Sequence, residues 1–501
     1  MSHSRRAFLQ FVGSVAALSA AGGVTARRAR AACPNMNYKI LEIFLAGGAS
    51  HEQTLWVDSN RLASESWFAF DEINWDTITG DPTPPTDTVF NIAGDANVGP
   101  SFNALDASTN RPEVLDRLRL VALKHDLDPH DPASVLALNG KTVGRPDRAG
   151  LGAAMQHANP GQPPSAVVFD TGSPPRADAA ISVGRLDGSP RPILIPMGVG
   201  YHDFMRNLPR AGTSTRSDLL WSHYASAYAD RLTFAAAPTT RARSKDFDAF
   251  DAARSTCIEH ANTIRSWMTQ AEGIWPDFPP RGTSKDQLRY NRVNWTAASV
   301  AASAWLLGQG TIRYAAVIDN GVHKTYDTHG VSPPVGATRP GHHATLHCGN
   351  LWNILNTLDI ALTGGWFSLE DTLILINTEF GRQWRRSDDG GSDHWYHGYA
   401  NALIGGPITQ PGTAGTICFN ATRYPDYIAG AAYRDGCTGD AGYHPTDVRA
   451  AVSLAAGVDP FASGVLNHEE TTFYLIARRD GVLLTADEVS DRICTDVLGV
   501  S

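Results

Sequence analysis

The sequence predicts an α/β fold built on a mostly parallel sheet. Seven short apolar runs recur along the 501 residues, each ending in a turn or a polar cluster, and helical patterns lie between many of them. Side chains able to bind a metal or an anion collect just after these runs, where the strands of open α/β sheets deliver their sites.

The first run, 39–45, ends in Ala46-Gly47-Gly48-Ala49-Ser50-His51, a tight Gly-Gly turn of the kind that carries a parallel strand into a loop. Run 119–123 leads to Lys124-His125, run 166–169 to Asp170 and run 193–195 to Pro196. Run 314–318 leads to Asp319, run 372–376 to Asn377-Thr378-Glu379, and run 400–404 to Gly405-Gly406. Helical spacing covers 218–232, 242–268, 291–307 and 347–362. Residues 58–112 are rich in Pro, Asp and Asn and read as an irregular excursion, and 200–290 read as a helical insertion on the same core. There is no internal repeat, so residues 32–501 are expected to form one large domain.

Ser4-Arg5-Arg6-Ala7-Phe8-Leu9-Gln10 has the form of a bacterial twin-arginine export address. A weakly apolar stretch too short to span a bilayer follows, then Ala29-Arg30-Ala31, a small-x-small cleavage site. Residues 1–31 therefore read as a signal peptide that engages the twin-arginine export machinery, and the mature protein as periplasmic or secreted. That route carries folded proteins, often with a metal in place. Removing five arginines and no acid takes the formal charge from -9 to about -14. So acidic a chain has no general attraction for nucleic acid or anionic lipid, and any anionic substrate needs a local cationic site. No later run predicts a stable membrane span. Among six cysteines, Cys418 and Cys437 bracket a Gly/Tyr/Asp-rich loop and are the favoured disulfide; Cys33, Cys257, Cys348 and Cys494 cannot be paired from sequence.

Three clusters carry metal-ligand chemistry. In Tyr326-Asp327-Thr328-His329-Gly330, Asp327 and His329 stand two apart and face one way in extended backbone, although a plain turn capped by Asp327 reads as easily. In Thr378-Glu379-Phe380-Gly381-Arg382, Glu379 is a candidate ligand and Arg382 a fork for an anionic oxygen, or the two form a bracing ion pair. In Gly390-Gly391-Ser392-Asp393-His394-Trp395-Tyr396-His397, His394 is the foremost ligand candidate and Asp393 a ligand or an acceptor orienting an imidazole; the bland alternative is a His-rich surface loop. Two weaker clusters are Ser50-His51-Glu52 and Asp128-Pro129-His130-Asp131-Pro132-Ala133-Ser134; either serine is a candidate nucleophile or a mere turn residue. His343 and His347 share a helix face and read first as a solvated helix start. There is no Gly-x-Ser-x-Gly elbow in hydrolase context, no P-loop and no dinucleotide fingerprint, and Cys-rich or haem-attachment motifs that would support a redox role are missing.

The leader, the Leu45 to His51 turn, the segment around His130, Asp327-Thr328-His329, Glu379-Phe380-Gly381-Arg382, Asp393-His394 and the Tyr443-His444-Pro445-Thr446-Asp447 stretch together resemble an exported bacterial family, domain of unknown function 1501, grouped with the alkaline phosphatase and sulfatase superfamily. The resemblance implies a central sheet sandwiched by helices, an alkaline-phosphatase-like domain, and one or two divalent metals at the sheet's C-terminal edge. Asp327, His329 and His394 match positions where the superfamily places metal ligands. Glu379 falls where many members have the Asp of an Asp-His pair, with Phe380 replacing the His, and Ser50-His51 stands where many have Asp. Both departures weaken a second metal site.

The expectation is an exported metal-dependent hydrolase of anionic phosphate or sulfate esters. Asp327, His329 and His394, with Glu379 and Asp393 as further ligands or supports, would hold a divalent ion (zinc, manganese or calcium, with iron also suited to imidazole and carboxylate). Arg382 would stabilise charge on the non-bridging oxygens, and His51 and His130 would stand at the mouth as ligand or general acid–base, beside Ser50. The alternative is a non-catalytic periplasmic binding or envelope-assembly protein with a decayed metal site.

Overall fold

The computed structural model describes residues 36–57, 73–93, 96–140, 149–158, 165–184, 186, 191–208, 261–262, 264–273, 294–322, 325–329, 342–382, 392–396, 398–417, 442–462 and 464–500. The leader, the Cys418–Cys437 pair, His397, Gly390-Gly391 and most of the expected helical insertion lie outside them. Within that insertion, a helix at Tyr201–Asn207 and helical residues 264–272 are described.

The strands are β1 Lys39–Leu45, β2 Phe90–Ala93, β3 Ala96–Val98, β4 Leu118–Leu123, β5 Ala166–Asp170, β6 Ile193–Pro196, β7 Tyr314–Asp319, β8 Thr372–Thr378, β9 Gly381–Arg382, β10 His394–Trp395, β11 Tyr399–Gly405 and β12 Gly412–Ala414. The helices are α1 Trp75–Thr79, α2 Asn110–Leu115, α3 His130–Asn139, α4 Leu151–Ala158, α5 Pro174–Ala180, α6 Tyr201–Asn207, α7 Trp295–Gly308, α8 His342–Thr363, α9 Pro445–Ala455, α10 Thr472–Arg479 and α11 Ala486–Arg492. Residues 58–112 are less irregular than expected: where described they hold α1, the β2–β3 hairpin and α2.

Eight strands form one sheet in the order β12-β4-β11-β8-β1-β7-β5-β6. All seven expected runs are in it. β1 lies near the middle, parallel to β8 and β7, and β5 and β6 extend the parallel set. Alternation along β1 sorts its side chains into two cores. Ile40 and Phe44 join one with residues of α3, α4, α5 and α9; Leu41, Ile43 and Leu45 join another with α7 and α8. Both faces of the sheet are thus covered by helices, which is why nearly every strand residue is apolar.

One strand departs from expectation. β11 runs antiparallel to both β8 and β4. A strand buried on both faces is an apolar run in either direction, so the residues alone do not reveal the reversal. Its Gly405-Gly406 turn therefore lies at the opposite edge, where Gly405 N–H bonds Arg117 O. In exchange, the start of β11 faces the edge where β1, β4, β7 and β8 end, and it brings His394, five residues earlier, to that edge.

Candidate metal centre

The loops that leave β1, β4, β5, β7 and β8 converge at that edge with the segment entering β11. His130 opens α3 seven residues after β4, and Arg176 lies in the first turn of α5 after β5. Asp327 and His329 follow β7, and Glu379 is the residue after β8. The β9–β10 pairing sets His394 opposite Arg382. The Gly47-Gly48 turn is required by this crowding: both glycines have positive φ, and a Cβ on Gly47 would lie 2.3 Å from Asp327 N and one on Gly48 2.5 Å from the Phe380 ring.

His130, Asp327, His329 and His394 each offer one ligand atom, all within 4.8 Å of one another. The three imidazoles are built alike. His130 Nδ1 donates to Glu379 Oε1, His329 Nδ1 to Asp393 Oδ1 at 2.9 Å, and His394 Nδ1 to Asp128 Oδ1 at 3.1 Å. With each Nδ1–H given to a carboxylate, each neutral ring carries its lone pair on Nε2. Those atoms turn inward: His130 Nε2 is 3.0 Å from His394 Nε2 and 3.3 Å from Asp327 Oδ2, and His329 Nε2 is 3.7 Å from Asp327 Oδ1. Acceptors facing acceptors at such distances call for a cation among them, a proton or a metal ion. Carboxylates behind imidazoles are also how metal sites fix the tautomer and orientation of their histidines.

The charges respond to this crowding. Burial lowers the His130 pKa, but hydrogen bonds to Asp327 and Glu379 outweigh it and lift it to about 9. Burial brings His394 down to about 4, helped by Arg382, His130 and His329. Burial would raise Asp327, but His130 and Arg382 hold it far below the usual carboxylate range. The same opposition, with His130 and Arg176 prevailing, takes Glu379 down to about 2. In this arrangement His130 holds the proton whose place a metal would take.

Glu379 lies behind the ligand atoms. It is fully buried and accepts from Gly47 N at 3.0 Å, Ser134 Oγ at 2.7 Å, Arg176 Nε at 2.9 Å and Arg176 Nη2 at 2.8 Å, besides His130. Five donors on two oxygens leave it no room to bind an ion; it orients His130. Asp393 is likewise an outer acceptor, behind His329. Arg382, expected to grip substrate, is fully buried with its donors spent inside: Nε on Gly48 O at 3.0 Å, Nη1 on Ser392 O at 2.8 Å, and Nη2 on Gly47 O and on Asp327 Oδ1 at 2.8 Å. It clamps the Gly-Gly turn and Asp327, and its ion-pair partner is Asp327 rather than Glu379.

Other expected residues fall beside the group. His51 is buried beneath β9, where a Cβ on Gly381 would come 2.8 Å from its Nδ1, so it is not at the mouth. Ser50 is buried with its hydroxyl on Gln53 Oε1, and Ser134 Oγ is held by Glu379. His343 and His347 are buried rather than solvated. Ser50 N–H donates to His347 Nδ1 at 3.1 Å, and Thr328 Oγ1 is 2.8 Å from His343 Nδ1. They brace the residue between the two ligands of the Asp327 segment. Two participants have no role in the expectation: Asp128, named there only as part of its cluster, backs His394, and Arg176, not named at all, backs Glu379. Asp128-Pro129-His130 repeats the Asp-x-His spacing of Asp327-Thr328-His329, a signal that was available for the first. Arg176 has none beyond following a strand.

Part of this edge has relatives. Residues 285–423 match the family model for a protein of unknown function (DUF1501). The matched segment holds Asp327, His329 and His394 of the ligand group and the supporting Glu379, Arg382 and Asp393; Asp128, His130 and Arg176 lie outside it. No curated protein matches the chain.

Proposed function

We propose that the protein is an exported hydrolase of phosphate or sulfate esters that works through one divalent metal ion held by His130, His329, His394 and Asp327. The observation that carries the reading is the convergence of three Nε2 atoms on Asp327, each imidazole backed by its own carboxylate. Three imidazoles and one carboxylate suit zinc, manganese or iron, and suit calcium poorly, since calcium prefers an all-oxygen shell. One ion is favoured over two because Arg176 already neutralises Glu379 and five donors occupy its two oxygens.

A divalent ion there would supply Lewis-acid polarisation of an ester oxygen and a nucleophile at neutral pH. The chain's own residues prepare the place. Glu379, Asp393 and Asp128 fix which nitrogen of each imidazole faces inward, and Arg382 holds Asp327. Phe380 lies 4.1 Å ring to ring from His394 and 5.0 Å from His130, shielding one side from water. The likeness to alkaline phosphatases and sulfatases is supported by the mostly parallel sheet with its group at the C-terminal edge. The twin-arginine leader supports a periplasmic or secreted location and passage through the export machinery; among the described residues no helix is long and apolar enough to cross a membrane.

Elemental analysis of protein purified without chelators tests the reading, together with assays on phosphate and sulfate mono- and diesters. A stoichiometric transition metal with ester turnover supports it; metal-free, inactive protein sinks it. A second reading, a binding or envelope-assembly protein that keeps the metal but not catalysis, is favoured by one observation: the two candidate serines are both buried and hydrogen-bonded to neighbours. Bound metal with no turnover on any ester would select it.

A further inference from the structure

We infer that the ester accepted at this site carries a single negative charge, as a sulfate monoester or a phosphate diester does, and that dianionic phosphate monoesters are excluded. The inference rests on the hydrolase reading above. Its basis is the fate of the cations. Sites that handle dianionic phosphoryl groups surround them with Arg, Lys or several metal ions, because so much charge leaves water only against fixed positive charge. Among the described residues both arginines at the group are spent. Arg176 gives Nε and Nη2 to Glu379 and Nη1 to Ser173 Oγ. Arg382 is fully buried on Asp327 and three backbone carbonyls.

Each arginine therefore cancels one carboxylate, Arg176 with Glu379 and Arg382 with Asp327. Two further carboxylates, Asp128 and Asp393, back the imidazoles and are more than half exposed at the rim, at 65% and 52%. They match the two charges of a divalent ion, and the ion's own charge has to be counted in such a site. Among the described residues these groups bring the loaded site close to neutral, with Asp131, whose charge Arg176 also feels, as a further negative charge. A monoanion can enter it; a dianion meets two rim carboxylates with no free guanidinium in compensation among the described residues.

The same balance favours turnover. Hydrolysis forms a bond from water oxygen to sulfur or phosphorus as the bond to the ester oxygen breaks with its electron pair. One water proton goes to that leaving oxygen and gives the alcohol; the other leaves to solvent. A sulfate ester then becomes dianionic sulfate, which the neutral site holds less well than the substrate.

The test uses the full protein with its own ion, occupancy checked by elemental analysis. Calorimetry at about pH 8, above the second phosphate ionisation near about 6, compares methyl sulfate, dimethyl phosphate and methyl phosphate. The expected result is that at least one monoanion binds about tenfold or more tighter than methyl phosphate, and the preferred monoanion tells sulfate ester from phosphate diester. Methyl phosphate binding as tightly as either monoanion, or no binding by any of the three, overturns the inference. Monoanion binding without hydrolysis of the corresponding nitrophenyl ester sinks the hydrolase reading and leaves the charge selection standing. Asp393→Asn removes one rim charge and should narrow the discrimination about tenfold at equal metal occupancy; unchanged discrimination counts against the charge argument.

Discussion

Among the described residues two glutamates are completely buried, each against an arginine, and only one of them adjoins the candidate metal group. Glu42, in the middle of β1, accepts from Arg449 Nη1 at 2.6 Å, Tyr314 OH at 2.7 Å and Asn377 Nδ2 at 2.9 Å. Those partners come from β7, β8 and α9, and Asn377 carries the network on to Ala137 O and Asn401; all of these residues are buried, so it ties the sheet to its helices and stays inside. Glu379, just past the end of β8, has a similar saturation but one different partner. His130 takes one oxygen with Nδ1 and presents Nε2 to Asp327 and His394. A buried carboxylate becomes functional when one of its donors has a second face that looks out.

The contrast is sharpest for His394, which belongs wholly to the outward side. His394→Ala should abolish both bound metal and ester hydrolysis, read by elemental analysis and a nitrophenyl ester assay, while the melting temperature of the metal-free protein stays close to the parent's. Unchanged metal content would show that His394 is no ligand. On the inward side, Arg449→Met leaves Glu42 buried and uncompensated. It should cost about 3–5 kcal/mol of stability in denaturant unfolding, with metal per folded protein unchanged. A loss of metal affinity equal to that of a site variant would erase the distinction between the two glutamates.

Glu379→Gln tests the joint between them. Removing an outer acceptor of this kind weakens metal binding about 10- to 100-fold. It also has a pH signature in the metal-free protein. The folded pKa of Glu379 is about 2 against an ordinary 4.5, a depressed carboxylate, so its contribution to stability is present above 4.5 and is lost as pH falls toward 2. Glu379→Gln should flatten that acid limb of the melting-temperature profile. An acid limb identical to the parent's would mean that His130 and Arg176 do not hold Glu379 ionised.

How far the sequence reveals this depends on what each feature leaves in the chain. A strand covered by helices on both sides must be apolar throughout, so all eight-strand-sheet members except the short β12 stand out as runs. Direction leaves no such mark, and the reversal of β11 is visible only through its pairing. Asp327, His329 and His394 are legible because they cluster with glycines after apolar runs. The roles of Glu379 and Arg382 are not, because a carboxylate that binds an ion and one that backs a histidine have the same local spacing; only the five donors around Glu379 and the carbonyls around Arg382 separate the two. His130 is visible as a candidate, yet its place among the ligands depends on β4 and β8 being brought together by β11, a contact across 249 residues of chain.

The smallest effect isolates what Arg176 adds beyond charge. Its guanidinium meets Glu379 with two parallel N–H groups, Nε on Oε2 and Nη2 on Oε1, and a third nitrogen anchors to Ser173 Oγ. Lysine keeps the positive charge and loses the planar fork, so Glu379 would remain ionised but free to rotate against His130. Arg176→Lys should therefore weaken metal binding by about fivefold, the worth of roughly one net hydrogen bond, while leaving the acid limb of the stability profile in place. Arg176→Met, which removes the charge as well, should weaken the metal further and move that limb toward the ordinary carboxylate range. If lysine and methionine behave alike in both measurements, the positive charge does nothing without the fork, and the bidentate geometry carries the whole effect of Arg176. If lysine matches the parent in both, charge alone is enough and the bidentate geometry has no part in aiming His130.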